Sequence, residues 1–244
     1  MLDLKDKVVV ITGASRGIGA AMVRHFGLEG SKVVLIARNK DMLTESAMMA
    51  GLTKGNFHLI TADITKRAGI KKIAAGTMKK FGRIDIWINN AGVGVHKSIL
   101  ETTEAEYNGM YDTNMKAVYF SFLEAIPIMQ KQKQGHIINI SSASGLRGEP
   151  MIAVYSSSKA ALNAFSEAVA REVRNDGIKI SVLAPASVDT DFAYNFSGER
   201  KQNTVSKAKM KLTADEVAEA VVGMAKDNPN AWTSLAVLRP LSVK

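Results

Sequence analysis

Along the chain, short apolar runs rich in β-branched residues alternate with longer stretches whose apolar positions recur at helical spacing. The runs fall at residues 7–12 (KVVVIT), 32–37 (KVVLIA), 56–61, 84–89 (IDIWIN), 136–141 (HIINIS) and 179–184 (KISVLA). Between them the spacing predicts helices over 18–29, 41–50 and 66–81, two helical stretches before residue 136, and a long helix over 154–175. Glycines at 30, 51, 82 and 177 stand where these helices should stop, because glycine accepts the left-handed conformation that closes a helix. Thr213-Ala214-Asp215-Glu216 reads as a capping box ahead of a helix over 214–226. Residues 234–238 leave only a possible final strand.

Apolar runs of this length, bounded by glycines and separated by helices, are strands buried on both faces. They predict an α/β fold, a doubly wound parallel sheet with helices on both faces. No linker or composition shift divides the chain, so residues 1–244 read as one domain.

Composition narrows this picture. Hydrophobic residues make up 46% and charged residues 23% of the 244 positions, the balance of a soluble globular protein. No apolar run approaches the ~20 residues that span a bilayer. MLDLKDKVVVIT enters a strand at once and lacks the layout of an export signal. With no cysteine, disulfides, thiolate metal sites and cysteine nucleophiles are excluded, and a cytoplasmic location is the expectation. No His/Asp/Glu cluster has ligand spacing, so no metal is expected. The net charge of +9 raises the question of nucleic acid or acidic lipid. The basic residues are dispersed without interleaved aromatics, which disfavours both; a polyanionic dinucleotide or anionic substrate accounts for part of the charge.

The first run leads straight into Thr12-Gly13-Ala14-Ser15-Arg16-Gly17-Ile18-Gly19. A strand must turn tightly into a helix here, and glycine permits both the turn and close approach of backbone to a pyrophosphate. The helix N-terminus adds unpaired N–H groups and partial positive charge. An acid at the end of the second strand would bind a ribose 2′-hydroxyl and repel a 2′-phosphate. This chain has Ala37 and Arg38 there, with Arg16 in the glycine loop. Each arginine alone reads equally as a solvated surface residue. Together, with the acid absent, they favour NADP(H). Asp63 after the third run could accept from the adenine amine, or serve only as a loop or capping acid. Asn89-Asn90-Ala91-Gly92 ends the fourth run at the same sheet edge, where small residues admit a ribose and an asparagine ties neighbouring strands.

Tyr155 and Lys159 lie four apart on the long helix and share a face. Hydride addition to a carbonyl requires a proton for its oxygen. Bringing a tyrosine from its free pKa of about 10 to near 7 takes about 4 kcal/mol. One lysine charge at ~4 Å supplies about that much at an effective dielectric of ~20, and the positive ring of an oxidised nicotinamide would add to it. The spacing alone is common by chance. Its weight comes from Ser142, thirteen residues upstream and just past the fifth run, because ligands sit at these strand ends. Ser141 and Ser144 are rivals for binding the substrate oxygen, with Ser141 expected to belong to the strand.

These motifs resemble the short-chain dehydrogenase/reductase family in its compact, NADP(H)-preferring branch. The resemblance covers about residues 5–192, through TGASRGIG, NNAG, Ser142 and YSSSK at 155–159. It implies a Rossmann-type sheet with Tyr155 as general acid/base and Lys159 lowering its pKa and holding the nicotinamide ribose. It also implies Ser142 as stabiliser of the substrate oxygen and Asn114 as holder of a water on a proton relay to Lys159. Cofactor contacts would fall on Gly13, Ser15, Arg16, Gly17, Ile18, Gly19, Arg38, Asp63, Ile64, Asn90, Ala91, Gly92, Pro185, Val188 and Thr190. After the sixth run the family's Pro-Gly reads Pro185-Ala186, for which a modest backbone shift is expected. The usual final strand and glycine-rich ending are replaced by AWTSLAVLRPLSVK, which casts doubt on subunit pairing there; a homodimer or homotetramer through the long helices remains implied.

Residues 191–211 should form a lid over substrate, with Phe192, Tyr194 and Phe196 as apolar walls. Its basic half, from Arg200 to Lys211, suits an anionic substrate or carrier, although a solvated helix face is the favoured reading. His96, Ser144, Leu146, Arg147, Glu149 and Met151 flank the expected pocket, and His96 is either a second acid or inert. The leading expectation is reduction of a ketone or 3-oxoacyl compound. Oxidation of a sugar, steroid or polyol is the alternative, and a non-catalytic NADP(H)-binding regulator a third reading, against which the complete Ser-Tyr-Lys-Asn set argues.

Overall fold

The computed structural model describes residues 2–193 and 211–241. Seven parallel strands form one sheet: β1 (Val8–Thr12), β2 (Lys32–Ala37), β3 (Phe57–Thr61), β4 (Ile86–Asn89), β5 (Gly135–Ile140), β6 (Ile178–Pro185) and β7 (Leu235–Leu238). Their order is β3-β2-β1-β4-β5-β6-β7. The direction of strand addition reverses between β1 and β4, which opens the ligand crevice of a doubly wound sheet at the carboxyl ends of these strands.

Alternate side chains of each strand feed two cores. Val9, Ile11, Val33, Leu35, Ile86 and Ile138 face α1 (Gly17–Leu28), α2 (Lys40–Met49) and α7 (Ala214–Ala225). Val8, Val10, Val34, Trp87, Ile137 and Ile180 face α3 (Arg67–Phe81), α5 (Ala117–Gln132) and α6 (Ala153–Val173). Covering both faces is what makes the runs continuously apolar. The short α4 (Glu104–Tyr111) precedes α5, from which it is separated by a π-helical turn, Asp112–Lys116. Both Thr103 and Thr213 close full capping boxes, with Glu106 and Glu216.

The structure bears on three expectations at the carboxyl ends of the last strands. A final strand is present: β7 pairs in parallel with β6 from Val182↔Leu235 to Pro185↔Leu238. It is legible in the sequence only as a possible strand because one of its faces is open, with Leu235 and Val237 46% and 41% exposed. Ser141 lies one residue beyond β5, although its N–H still donates to Leu183 O at 2.7 Å. Ala186 is not among the residues with positive φ, and its N–H donates to Leu238 O at 2.8 Å. A Cβ is therefore compatible with the backbone there, and the strand pairing runs through it.

Candidate functional site

The glycine turn sits at the carboxyl end of β1, beside the crevice. Gly13 (φ 67°) and Gly17 (φ 54°) take the left-handed conformation that glycine tolerates without cost. A Cβ on Gly19 would lie 2.0 Å from the Gly13 carbonyl oxygen, so this turn excludes any side chain there. Arg16, the N-cap of α1, makes no side-chain capping bond, and the first turn holds no acid. The N–H groups at this helix end and its partial positive charge are thus available to an anion. Both features fit a dinucleotide pyrophosphate.

Asn90 Nδ2 donates to Thr12 O (2.9 Å) and Gly13 O (3.3 Å). Thr12 Oγ1 accepts from the N–H groups of Asn90 (3.0 Å) and Ala91 (3.2 Å). The NNAG segment and the glycine turn are therefore one hydrogen-bonded unit, and Thr12, the first residue of the glycine motif, holds it by a role its place in the motif did not reveal. A second asparagine tie, Asn89 Nδ2 to Asn139 Oδ1 at 2.8 Å, joins β4 to β5. Arg16 and Arg38 are exposed, Arg38 directly after β2. Ser15 is half-buried, and Ile18 and Ile64 pack half-buried against the two cores. Asp63 uses Oδ1 in a local turn, accepting from Thr65 N–H (3.0 Å) and Oγ1 (2.7 Å). Those bonds hold its carboxyl below the usual range, with Lys66 and Arg38 adding to the effect. Pro185 is buried at the end of β6. Val188 bridges to Leu212, and Thr190 methyl lies 3.5 Å from where a Gly17 Cβ would stand. The segment after β6 thus closes against the glycine turn.

The second half of the site lies at the end of β5. Ser142 is extended, and its Oγ accepts from Ser144 N–H at 3.2 Å and hydrogen-bonds with the Tyr155 hydroxyl. Lys159, one turn beyond Tyr155, donates from Nζ to Ile140 O at 2.9 Å and lies 5.9 Å from the Tyr155 ring centroid. Asn114 sits in the π-helical turn, the kind of helix widening that recurs at functional sites. Its Oδ1 accepts from Val93 N–H (2.9 Å), and its Nδ2 donates to Val93 O (2.9 Å) and Ser158 Oγ (3.0 Å). Ser158 Oγ in turn donates to Tyr155 O at 2.7 Å. A Cβ on Gly92 would stand 3.4 Å from Asn114 Oδ1 and 3.6 Å from Lys159 Nζ, so the end of NNAG touches both residues.

Burial dominates the electrostatics. Desolvation pushes the Tyr155 hydroxyl up to about 12, an effect opposed by the bond with Ser142, and pushes the Lys159 ammonium down to about 8. Burial acts against the lowering expected from Lys159. The lysine is directed to the Ile140 carbonyl, and both groups have lost the water that stabilises their charged forms. This tether has no signature in the sequence, since its acceptor is a backbone atom.

The remaining candidates divide. Phe192 packs against Tyr155 with ring centroids 6.0 Å apart, which brings the start of the expected lid to the site. Ser141 Oγ points to Lys159 O at 3.4 Å and is buried, while Ser144 contributes its N–H to the turn. His96 is exposed on the loop after β4. Tyr194, Phe196 and the basic residues from Arg200 to Lys209 lie outside the described residues; Lys211 pairs with Asp189 at 2.9 Å. Asn163, which the motifs did not mark, donates from Nδ2 to Gly145 O at 3.2 Å and braces the turn that follows Ser142.

A parallel doubly wound sheet with a glycine turn at its switch point defines a nucleotide-binding α/β protein. Residues 7–201 match the short chain dehydrogenase family, and the chain belongs to that family of oxidoreductases, which act on small molecules with nicotinamide cofactors. An uncharacterised oxidoreductase of Staphylococcus epidermidis is 31% identical over 242 residues, covering 99% of this chain and all of the relative. A metagenomic short-chain oxidoreductase in complex with NADP superimposes with a TM-score of 0.84 at 30% identity, over 99% of this chain and 100% of that one. A short chain dehydrogenase/reductase from Burkholderia phymatum in complex with NAD gives 0.85 at 25% identity, over 96% and 90%. Among the described residues, no helix is long and apolar enough to cross a membrane.

Proposed function

We propose that this protein is an NADP(H)-dependent reductase of a ketone or 3-oxoacyl-type carbonyl. The observation that carries the reading is the convergence of Ser142, Tyr155, Lys159 and Asn114 at the carboxyl edge of the sheet, next to Gly92 of the cofactor cradle. When bound, the nicotinamide cofactor supplies the hydride to the carbonyl carbon. Ser142 then orients the substrate oxygen, and Tyr155 donates its hydroxyl proton to that oxygen as negative charge develops there. The protonated Lys159 stabilises the tyrosinate left behind, and Asn114 with Ser158 holds the backbone around the return path of the proton.

Arg16, the N-cap of α1, and Arg38, directly after β2 where an acid would select NAD, support the NADP(H) preference. One solved relative holds NADP and another NAD, and the reading rests on the two arginines. Gly13, Gly17, Gly19, Ser15, Ile18, Ile64, Asn90, Ala91, Pro185, Val188 and Thr190 complete the proposed cofactor contacts, and Asp63 keeps one carboxylate oxygen for the adenine. The chain is read as a single domain, and the contact of Phe192 with Tyr155 supports a substrate-side role for the segment that starts at Asp191; residues 194–210 of the expected lid lie outside the described residues. Exposed Tyr119 and Leu123 on α5 support a homodimer or homotetramer. The test is loss of NADPH absorbance over ketoacyl thioesters, diketones, ketoses and steroids. Tyr155→Phe should abolish turnover while leaving NADPH affinity nearly unchanged; turnover equal to that of the native enzyme would refute the mechanism.

A further inference from the structure

The C-terminal segment departs most from the family pattern, and the fold carries it to the reactive edge. β5, β6 and β7 are parallel neighbours, so Ser142 and Arg239, which follow β5 and β7, emerge on the same side of the sheet. The bond from Ala186 N–H to Leu238 O fixes the point from which Arg239 projects, and Pro240 restrains the Arg239 backbone to extended conformations. Arg239 lines an open cavity of about 380 Å³ together with Ala143, Arg147, Gly148, Glu149 and Pro150. Ala143 is the residue next to Ser142.

The facing wall is also fixed. Arg147 N–H donates to Ala143 O at 3.3 Å, and Lys97 N–H donates to Met151 O at 2.8 Å. Met151 holds φ at 66°, a conformation that non-glycine residues adopt only when their surroundings impose it. Neither guanidinium takes part in an ion pair among the described residues, and neither does Glu149. Two unpaired guanidinium groups against one carboxylate leave the cavity with a net positive charge beside the serine.

We propose that this cavity is the far end of the substrate site, where Arg147 and Arg239 clamp an anionic group, carboxylate or phosphate, carried by the carbonyl substrate. The inference rests on the reading of Ser142 and Tyr155 as the carbonyl-binding end. Guanidinium forks match both oxyanions bidentately. The cation class is disfavoured because Glu149 is outnumbered. Since the cavity opens to water, each arginine contributes about tenfold in preference, the lower end of a charge-assisted bond.

The experiment compares paired substrates by NADPH oxidation: levulinate against its methyl ester, and dihydroxyacetone phosphate against dihydroxyacetone. The anion of at least one pair is expected to show the higher kcat/KM, through KM, and the pair that does so identifies carboxylate or phosphate as the group held. Arg147→Gln and Arg239→Gln should each reduce that anion-over-neutral preference about tenfold, and Glu149→Gln should raise it. Equal use of anionic and neutral compounds, or a preference that neither arginine variant alters, overturns the clamp. Calorimetric titration with dihydroxyacetone phosphate and with levulinate, on the native chain and the Arg147→Gln/Arg239→Gln double variant, reads the clamp without turnover. Binding of either anion that the double variant loses supports the clamp even if every carbonyl fails to react, a result that would sink only the reductase reading. Absence of binding, or equal binding by both proteins, overturns the clamp itself.

Discussion

Gly19→Ala adds one methyl group to the proposed cofactor cradle, and the structure sets its consequence. The new Cβ would lie 2.0 Å from Gly13 O and 2.9 Å from Asn90 Nδ2, where real Cβ contacts essentially never fall below 3.0 Å. The turn must therefore open by about an ångström, and overpacking of that kind costs about 1–3 kcal/mol. Its neighbours resist the opening. Asn90 Nδ2 holds both Thr12 O and Gly13 O, Ala14 N–H donates to Ile36 O at 3.1 Å, and Ser46 Oγ donates to Ala14 O at 2.8 Å. Displacing a pre-formed site by this much can cost about 100-fold. Gly109→Ala is the matched control. Gly109 lies within α4, is exposed, and its added Cβ would meet nothing within 4 Å. There alanine should stabilise by about 0.5–1 kcal/mol through helix propensity and a less free unfolded chain. NADPH fluorescence titration and urea unfolding on both variants give the test. We expect Gly19→Ala to be less stable and to bind NADPH about 100-fold more weakly, and Gly109→Ala to be more stable with affinity unchanged. A Gly19→Ala protein that binds NADPH within about threefold of the native chain would refute the reasoning.

Because burial sets Lys159 at about 8, the cation required by the proposed mechanism is present below that pH and lost above it. The kcat/KM for carbonyl reduction should fall by about tenfold per pH unit above 8, and Lys159→Arg should move that limb upward if it retains activity; a limb that stays in place counts against Lys159. His136 is buried on β5 against Ser181 Oγ at 2.8 Å, and desolvation, reinforced by Lys179, lowers it from 6.5 to about 3. The unfolded chain therefore binds one more proton between those values, so stability is full above pH 6.5 and falls by about 1.4 kcal/mol per unit as pH drops through that window. His136→Gln should flatten the slope in urea unfolding between pH 6.5 and 5, and an unchanged slope would assign it elsewhere. Arg38→Asp should weaken NADPH far more than NADH, by about tenfold or more in the ratio of dissociation constants; an unaltered ratio removes Arg38 from cofactor choice.

What the sequence made legible follows from how each feature is encoded. Five strands, β1, β2, β4, β5 and β6, are covered on both faces, so their apolar runs are continuous and bounded; the edge strand β3 still sends Phe57 and Leu59 to one core and Ile60 to the other. The edge strand β7 covers only one face and was legible only as a short apolar stretch. The glycine turn was readable because its constraint is steric and local: Gly19 admits no Cβ. Tyr155 and Lys159 were readable as a pair because the helical repeat is fixed, and Ser142 because a strand end fixes its level. The bonds that hold the site together run instead to groups with no signature in the chain. Lys159 bonds a backbone carbonyl, Thr12 receives two backbone N–H groups, and Asn114 depends on a π-helical turn.

The direction of the pKa shifts was illegible for a further reason. Spacing sets the approximate distance between two charges on a helix, but desolvation is a property of everything packed around them. The pairwise estimate supplied attraction of about 4 kcal/mol at ~4 Å. In the folded chain, burial acts on both groups toward their neutral forms and gives a phenol near 12 and an ammonium near 8. At pH 7 the phenol is then fully protonated, the form a proton donor needs, whereas removing its proton costs about 7 kcal/mol before any further positive charge arrives. The same burial thus keeps Tyr155 protonated in the cofactor-free fold, the state from which the proposed mechanism has it give a proton to a nascent alkoxide. The Ser142 hydrogen bond opposes this bias, beside the charge proposed for Lys159. It stabilises the tyrosinate once the proton has left, and it brings the proton donor and the proposed oxygen-binding hydroxyl together at the end of β5.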